Sequence, residues 1–397
     1  MSNQIEVKAY PVRIEEHPSA DRLELAFVGD FSSIVLKDKH KTGERVLFIP
    51  AMAVLPEPVL RGCGLWDEEA GTGVLSGKDK NRVKPMRLRS VLSEGIVASF
   101  DDVGVEESDD PDHNYAHELS ITKYTPRIPE SFSGQVFAAV DSPRMWDTPN
   151  MKHPEYVDIF SEGELVQITE KIHGTCLIAH FEPEVYGEPN SVVFTISSKG
   201  QSQGMKALVE SDANVYWNAA RKFYVESISG YISTVAQNYV KRNCEGYDVG
   251  EHPTVSIFGE VFGPGIQGGF AYAQEEKKLA IFSVVLNKGK SNEFDFSEVL
   301  SSVLLREASS VLGIPVEETP ITVPLLYSGP WSPDLLDKHL AGNSVVSKMF
   351  DLNAGPGNIR EGVVIKSLEV PPGDRPKFVK MHSPDFLTRG GEVTEYE

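Results

Sequence analysis

Apolar and polar positions alternate in short runs over residues 1–125. Ile5 to Ile14, Arg22 to Val28, Ser33 to Val35 and Arg45 to Ile49 are rich in β-formers. Turn-forming clusters divide them, at His17-Pro18-Ser19-Ala20-Asp21, Gly29-Asp30 and Lys41-Thr42-Gly43-Glu44. Short strands at this spacing predict a small β-barrel. Beyond residue 150 the period changes. Val215, Ala219, Ile228, Ile232, Val235 and Tyr239 recur at largely helical intervals, which predicts a helix over Asp212–Tyr239 with its aromatic side chains in the core. Further helices are expected within Asn292–Leu312 and Ser332–Met349. Apolar strand runs alternate with them: Val192 to Ile196, Val255 to Val261, Leu279 to Val285, Gly362 to Ile365 and Lys377 to Val379. The expected fold class is α+β, with an N-terminal barrel over 1–125 and an antiparallel-sheet domain with helices over 151–397. The acidic run Glu106-Glu107-Ser108-Asp109-Asp110-Pro111-Asp112 and the stretch Thr125-Pro126-Arg127-Ile128-Pro129-Glu130-Ser131 lead into a linker, 126–150.

Length and composition add bounds. A chain of 397 residues has room for two or three domains, and 40% hydrophobic with 24% charged residues is ordinary for a globular protein. No apolar run reaches the length of a membrane span, and the start lacks the features of a secretory signal. Cys63, Cys176 and Cys244 show no paired or zinc-binding spacing. A reducing, cytoplasmic setting without a membrane partner is the expectation. The net charge of −20 argues against a protein held on nucleic acid by its overall field, though not against a local basic groove. Lys78, Lys80, Arg82 and Lys84 stand at every second position. On an extended segment they share one side, and Arg87 and Arg89 repeat the spacing after Pro85.

Candidate chemistry starts at Glu170-Lys171-Ile172-His173-Gly174-Thr175, where the strand-like Leu165-Val166-Gln167-Ile168-Thr169 stops. An ammonium at an apolar strand end is expensive to bury without a partner. Burial lowers a lysine pKa and makes the amine nucleophilic, although a lysine can also snorkel from such a place to water. Gly289-Lys290-Ser291 is not a P-loop, because position 284 is valine where the upstream glycine is required. The glycines Gly259, Gly263, Gly265, Gly268 and Gly269 fit an anion nest or simple turns.

Lys171-x-His173-Gly174 resembles the first motif of the covalent nucleotidyltransferases, in the form found in RNA ligases of the RNA ligase 2 type. The rest of the set follows in order: Ser197-Ser198-Lys199-Gly200, Phe258-Gly259-Glu260-Val261-Phe262-Gly263, Ala280-Ile281-Phe282, Glu361-Gly362-Val363-Val364-Ile365-Lys366 and Lys377-Phe378-Val379-Lys380. His17-Pro18-x-Ala20-Asp21-Arg22-Leu23 resembles the opening of tRNA-binding OB domains, which makes the N-terminal barrel OB-like and nucleic-acid-binding. With the OB-like domain first, the chain looks like an ATP-dependent RNA ligase of the RNA ligase 5 family, with an ATP-grasp-like ligase domain. The resemblance implies that Lys171 takes AMP from ATP, that AMP passes to a 5′-phosphate end, and that a 3′-hydroxyl then displaces it. It implies nucleotide-binding roles for Glu170, His173, Lys199, Glu260, Phe282, Lys366 and Lys380. Glu260 would hold the ribose and Phe282 would stack on adenine. It implies a Mg2+ or Mn2+ role for Glu361, since these ions prefer oxygen ligands. The implied partner is a nicked, RNA-containing duplex, and the implied state is a monomer.

Two positions depart from the family pattern. Cys176 stands where asparagine is usual, and a thiol hydrogen-bonds more weakly than an amide. In the last motif the second charge falls to Lys377, Lys380 or His382. A ligase of DNA ends, or a nucleic-acid-binding protein with a degenerate ligase domain, are the alternatives.

Overall fold

The computed structural model describes residues 5–124, 134–138, 148–183, 192–199, 206–243, 248–266, 271–350, 358–370 and 376–389. Gly200, Gly268, Gly269, Cys244 and most of the expected linker lie outside them. The chain divides into two compact units. One comprises Met1–Thr125, Pro149–Ile159 and Pro384–Gly391; the other comprises Pro126–Thr148, Phe160–Ser383 and Glu392–Glu397.

In the first unit the predicted strands form, but the closed barrel is corrected. Their pairing makes two antiparallel three-stranded sheets. Lys8–Pro11 and Gly95–Ala98 flank Arg45–Pro50, while Arg13–Glu16 and Phe31–Leu36 flank Leu23–Val28. The physical reasons are local. Val12 breaks the first run in two: its N–H donates to Glu44 O and its carbonyl accepts from Gly43. Between Phe31–Leu36 and the Leu92–Gly95 stretch, serines replace most of a backbone ladder. Ser32 Oγ donates to Leu92 O at 2.7 Å, Ser33 Oγ to Gly95 O at 3.1 Å, and Ser93 Oγ accepts from Ile34 N at 3.2 Å. Arg45–Pro50 is buried on both faces: Leu47 and Ile49 join one apolar cluster, Val46 and Phe48 the other.

The expected row of cations on one extended segment is also corrected. Lys78 and Lys80 lie in a turn, with Lys80 at φ +50° and its N–H donating to Gly77 O. Arg82 is buried with its guanidinium 4.1 Å over the Tyr124 ring.

The second unit holds the site. A four-stranded antiparallel sheet runs in the order Leu325–Pro330, Leu165–Lys171, Gly362–Ser367, Phe378–His382. A larger sheet runs Val193–Ser198, Thr175–Glu182, Val255–Phe262, Lys278–Leu286, Phe294–Asp295, with Ile321–Thr322 parallel to Lys278–Leu286. One face of the larger sheet, with Leu177, Ala179, Ile257 and Ile281, packs in one core with the helices Val215–Lys222, Val225–Asn243 and Glu298–Val311. The single helix expected over Asp212–Tyr239 is therefore two. Tyr224, at φ +50°, interrupts it, and no glycine or proline marks the break in sequence. Asn214 caps the first of the pair by accepting from Tyr216 and Trp217 N–H.

Candidate active site

Lys171 ends a strand of the smaller sheet and Thr175 begins one of the larger, so the Ile172-His173-Gly174 turn joins the two sheets. Period-two alternation then sorts the side chains. From the smaller sheet Gln167, Thr169 and Lys171, Val364 and Lys366, and Phe378, Lys380 and His382 line one cavity. Their neighbours Val166, Ile168, Val363, Ile365, Val379 and Met381 are buried on the other face. The larger sheet adds Cys176, Phe258, Glu260, Phe282 and Ser283, and Lys199 follows the end of its strand Val193–Ser198.

All nine sequence-predicted site residues border this cavity: Glu170, Lys171, His173, Lys199, Glu260, Phe282, Glu361, Lys366 and Lys380. Lys171 Nζ lies 2.5 Å from Glu361 Oε1. Glu361 is fully buried. His173 Nδ1 is 3.6 Å from its Oε2, and His382 Nε2 is 3.6 Å from its Oε1. Burial alone would raise the Glu361 pKa, but the Lys171 ammonium and the two histidines hold it well below the carboxylate range. Burial pushes the half-buried Glu260 carboxyl up to about 8; Lys171 and Lys199 oppose this while Glu361 adds to it. Opposite shifts in two neighbouring carboxyls are a mark of functional sites.

Two glycines permit this packing by lacking a side chain. A Cβ on Gly174 would meet Val261 O at 2.4 Å and Glu260 Cγ at 2.8 Å; one on Gly362 would meet Met381 O at 2.0 Å. The turn is also held from beneath, where His173 N–H donates to the buried Tyr272 hydroxyl at 2.7 Å. Phe282 owes its place to a β-bulge: Phe258 pairs with Ser283 and Gly259 with Ile281, leaving Phe282 as the extra residue. Both Phe282 and Ser283 therefore reach the cavity, which strict alternation forbids.

Not every residue presents its charge to that space. Glu170 lies on the opposite face of its strand from Lys171. Its carboxylate accepts from Val345 N–H at 2.9 Å and faces Arg360 Nε at 3.5 Å. Lys366 Nζ is 2.7 Å from Asp295 Oδ2 and donates to Phe296 O at 3.1 Å. For the last motif, Lys380 and His382 line the cavity, whereas Lys377 Nζ is 2.7 Å from Glu164.

Gln167, Thr169 and Phe378 were missed, although the alternation that includes Lys171 and Lys380 reaches them. Tyr216 had no such signal. It comes from a helix read as core, and its hydroxyl meets Thr175 Oγ1 at 2.7 Å at the cavity wall.

Metal binding can be tested against the donor set. Glu361 Oε2 is buried and accepts no hydrogen bond among the described residues. No group of three or more His, Cys, Asp or Glu side chains among them forms a metal cage. One anchoring carboxylate fits Mg2+ or Mn2+, which keep several waters and use substrate phosphates as ligands.

Residues 164–379 match the family model described as RNA ligase, more than half of the chain. The chain belongs to the RNA ligase family. A search of the curated proteins found no match to this RNA ligase. Among solved structures it is similar to a mutant Naegleria gruberi RNA ligase in its apo form, at 17% identity and TM-score 0.69, covering 98% of each chain. It is likewise similar to the Naegleria gruberi RNA ligase with PPi, at 17% identity and TM-score 0.68, covering 96% of this chain and 97% of that one. A mutant of that ligase with ATP and Mn gives 18% identity and TM-score 0.68, covering 96% and 98%. These likenesses establish a shared fold.

Proposed function

We propose that this RNA ligase uses ATP and a divalent cation, Mg2+ or Mn2+, to join a 3′-hydroxyl to a 5′-phosphate in a nicked, RNA-containing duplex, through a lysyl-AMP at Lys171. Its sequence pattern favours the RNA ligase 5 type, acting as a cytoplasmic monomer. The carrying observation is the Lys171–Glu361 pair, 2.5 Å apart, in a cavity that also holds Lys380, Lys366 and an upraised aromatic, Phe282. The Naegleria gruberi ligase of the same fold has been crystallised with ATP and Mn.

Phe282 and Val364 supply apolar surface for a purine, and Glu260 supplies an acceptor for ribose hydroxyls. Lys380 supplies positive charge for phosphates, while Lys366 is held by Asp295 at the cavity wall. In the resting state Glu361 favours the protonated form of Lys171. The amine must shed that proton before its lone pair attacks the α-phosphorus, as the bond to the pyrophosphate oxygen breaks. A divalent cation bound at the Glu361 carboxylate would offset phosphate charge and weaken the hold on the ammonium. The adenylate then passes to the 5′-phosphate of the nick, freeing Lys171, and the 3′-hydroxyl attacks that phosphate and expels AMP.

Incubation with α-labelled ATP and Mn2+ tests the first step. Label should stay on the protein after denaturation, be acid-labile as a phosphoramidate is, and leave when a 5′-phosphorylated nick is added. A protein that takes no label is not a ligase of this mechanism.

A further inference from the structure

One wall of the cavity is tied together by residues 295–298, which bond to strands of both sheets. Asp295 Oδ1 accepts from Ser283 Oγ at 3.0 Å, and its Oδ2 is 2.7 Å from Lys366 Nζ. Lys366 also donates to Phe296 O at 3.1 Å. Gln167 Oε1 accepts from Glu298 N–H at 3.1 Å, at the start of the helix Glu298–Val311. Ser283, Asp295 and Lys366 are thus partnered within the wall. Gln167 is only half satisfied. Its side chain is 5% exposed and lines the cavity, yet its Nε2 makes no hydrogen bond among the described residues. A buried amide donor without a partner is costly, and a ligand in the cavity would supply one. Nor can the amide turn round. Only its oxygen can meet the helix N–H, so the donor end is the one left for the cavity.

Strand register places this donor relative to a bound nucleotide. Gln167 and Lys171 share one face of one strand, four residues and so about 13 Å apart. On the adjoining strand Val364 pairs with Thr169 and Lys366 with Gln167. A nucleotide with its α-phosphate at Lys171 and its base against Val364 and Phe282 therefore turns the edge farthest from the phosphate towards Gln167. On that edge adenine carries one acceptor, N1, beside its amino group. Guanine carries an N1–H donor there.

We propose that Gln167 determines the base specificity of this cavity, its Nε2–H donating to N1 of adenine. This rests on the ATP-using reading above. Because the Glu298 N–H fixes the amide, the same donor opposes the N1–H of guanine and selects against it.

The test is equilibrium binding by calorimetry on the full-length protein, first cleared of any resident adenylate with pyrophosphate and Mg2+. The probe is AMP, which lacks the pyrophosphate leaving group and cannot load Lys171. It is compared with 1-deaza-AMP, where C–H replaces N1, and with 7-deaza-AMP, which keeps N1. The wild type should bind 1-deaza-AMP about five- to ten-fold more weakly than AMP, and 7-deaza-AMP as well as AMP. Gln167→Met removes the donor and should bring AMP down to the affinity of 1-deaza-AMP, leaving the latter unchanged. Gln167→Glu keeps an acceptor for the Glu298 N–H, so the helix start stays capped, and should erase the same preference. Equal binding of AMP and 1-deaza-AMP by the wild type overturns the proposal. So does a preference that survives in both variants, or one directed at N7 instead. Adduct formation from ATP and Mn2+ is followed in parallel on the wild type by intact mass. An adduct without a preference for N1 removes this role of Gln167 and leaves the ligase reading. A Gln167-dependent preference without an adduct does the reverse.

Discussion

At the scale of single residues, the cavity of this RNA ligase gathers charged side chains that would be costly to bury without partners. Lys171 at the end of its strand is balanced by the buried Glu361, and that pairing explains how an ammonium sits at an apolar strand end. Lys171→Ala should abolish covalent transfer of AMP, since no other amine stands at that position of the turn. Retention of an acid-labile adduct by the mutant, seen by gel autoradiography, would contradict the assignment. Cys176 pairs across the sheet with Glu260, lines the cavity and also touches the apolar group of Ile178, Phe258 and Phe282. An amide there gains hydrogen bonds of about 1 kcal/mol each. Cys176→Asn should therefore leave labelling intact and speed single-turnover sealing of a pre-adenylylated nick a few-fold. Slower sealing with a lowered melting temperature would show that its apolar contacts matter more.

Elements decide how such side chains converge. The bulge at Phe258–Gly259 lifts Phe282 into the cavity, and its ring is the surface proposed to stack on adenine. Stacking of a base on an aromatic is worth about 1–3 kcal/mol. Phe282→Ala should raise the KM for ATP in the labelling assay roughly ten-fold, by that same magnitude, with a far smaller effect on the sealing of a pre-adenylylated nick. An unchanged KM would remove the stacking role. The helix Glu298–Val311 makes a second, thermodynamic prediction. Burial pushes the carboxyl of Glu298 up to about 8, against its ordinary 4.5, with Thr322 and Lys366 opposing. Between those values the folded chain keeps a proton that the unfolded chain has lost. The stability linked to this carboxyl is thus fully present below pH 4.5 and declines as pH rises towards about 8. Glu298→Gln cannot ionise, so its melting temperature should gain on the wild type as pH rises through that window. A difference independent of pH would mean that the wild-type carboxyl titrates normally.

For the whole molecule, the two catalytic stages should differ in their response to salt. The proposed adenylylation takes only ATP and a divalent cation, whereas the proposed sealing takes a long polyanion on a protein of net charge −20. Raising salt from about 50 to about 200 mM should slow sealing at limiting nick far more than labelling, because counterion release governs only the first of these. Equal slowing of the two would argue against a nucleic-acid contact outside the nucleotide cavity.

The sequence by itself determined the order of strand and helix runs, the family motifs and nine of the residues that border the cavity. These are local facts: period-two and helical patterns follow from backbone geometry, and a motif keeps lysine, histidine and glycine within one turn. Tertiary structure decided the rest. It split the helix at Tyr224, made two sheets where a closed barrel was expected, and paired the Glu170 carboxylate with Val345 N–H and Arg360. It placed His382 in the cavity and turned Lys377 to Glu164. It joined Arg87 to Asp385 and made glycine obligatory at Gly174 and Gly362 through backbone approaches from other strands. Each of these depends on contacts between residues far apart along the chain, which no local pattern encodes.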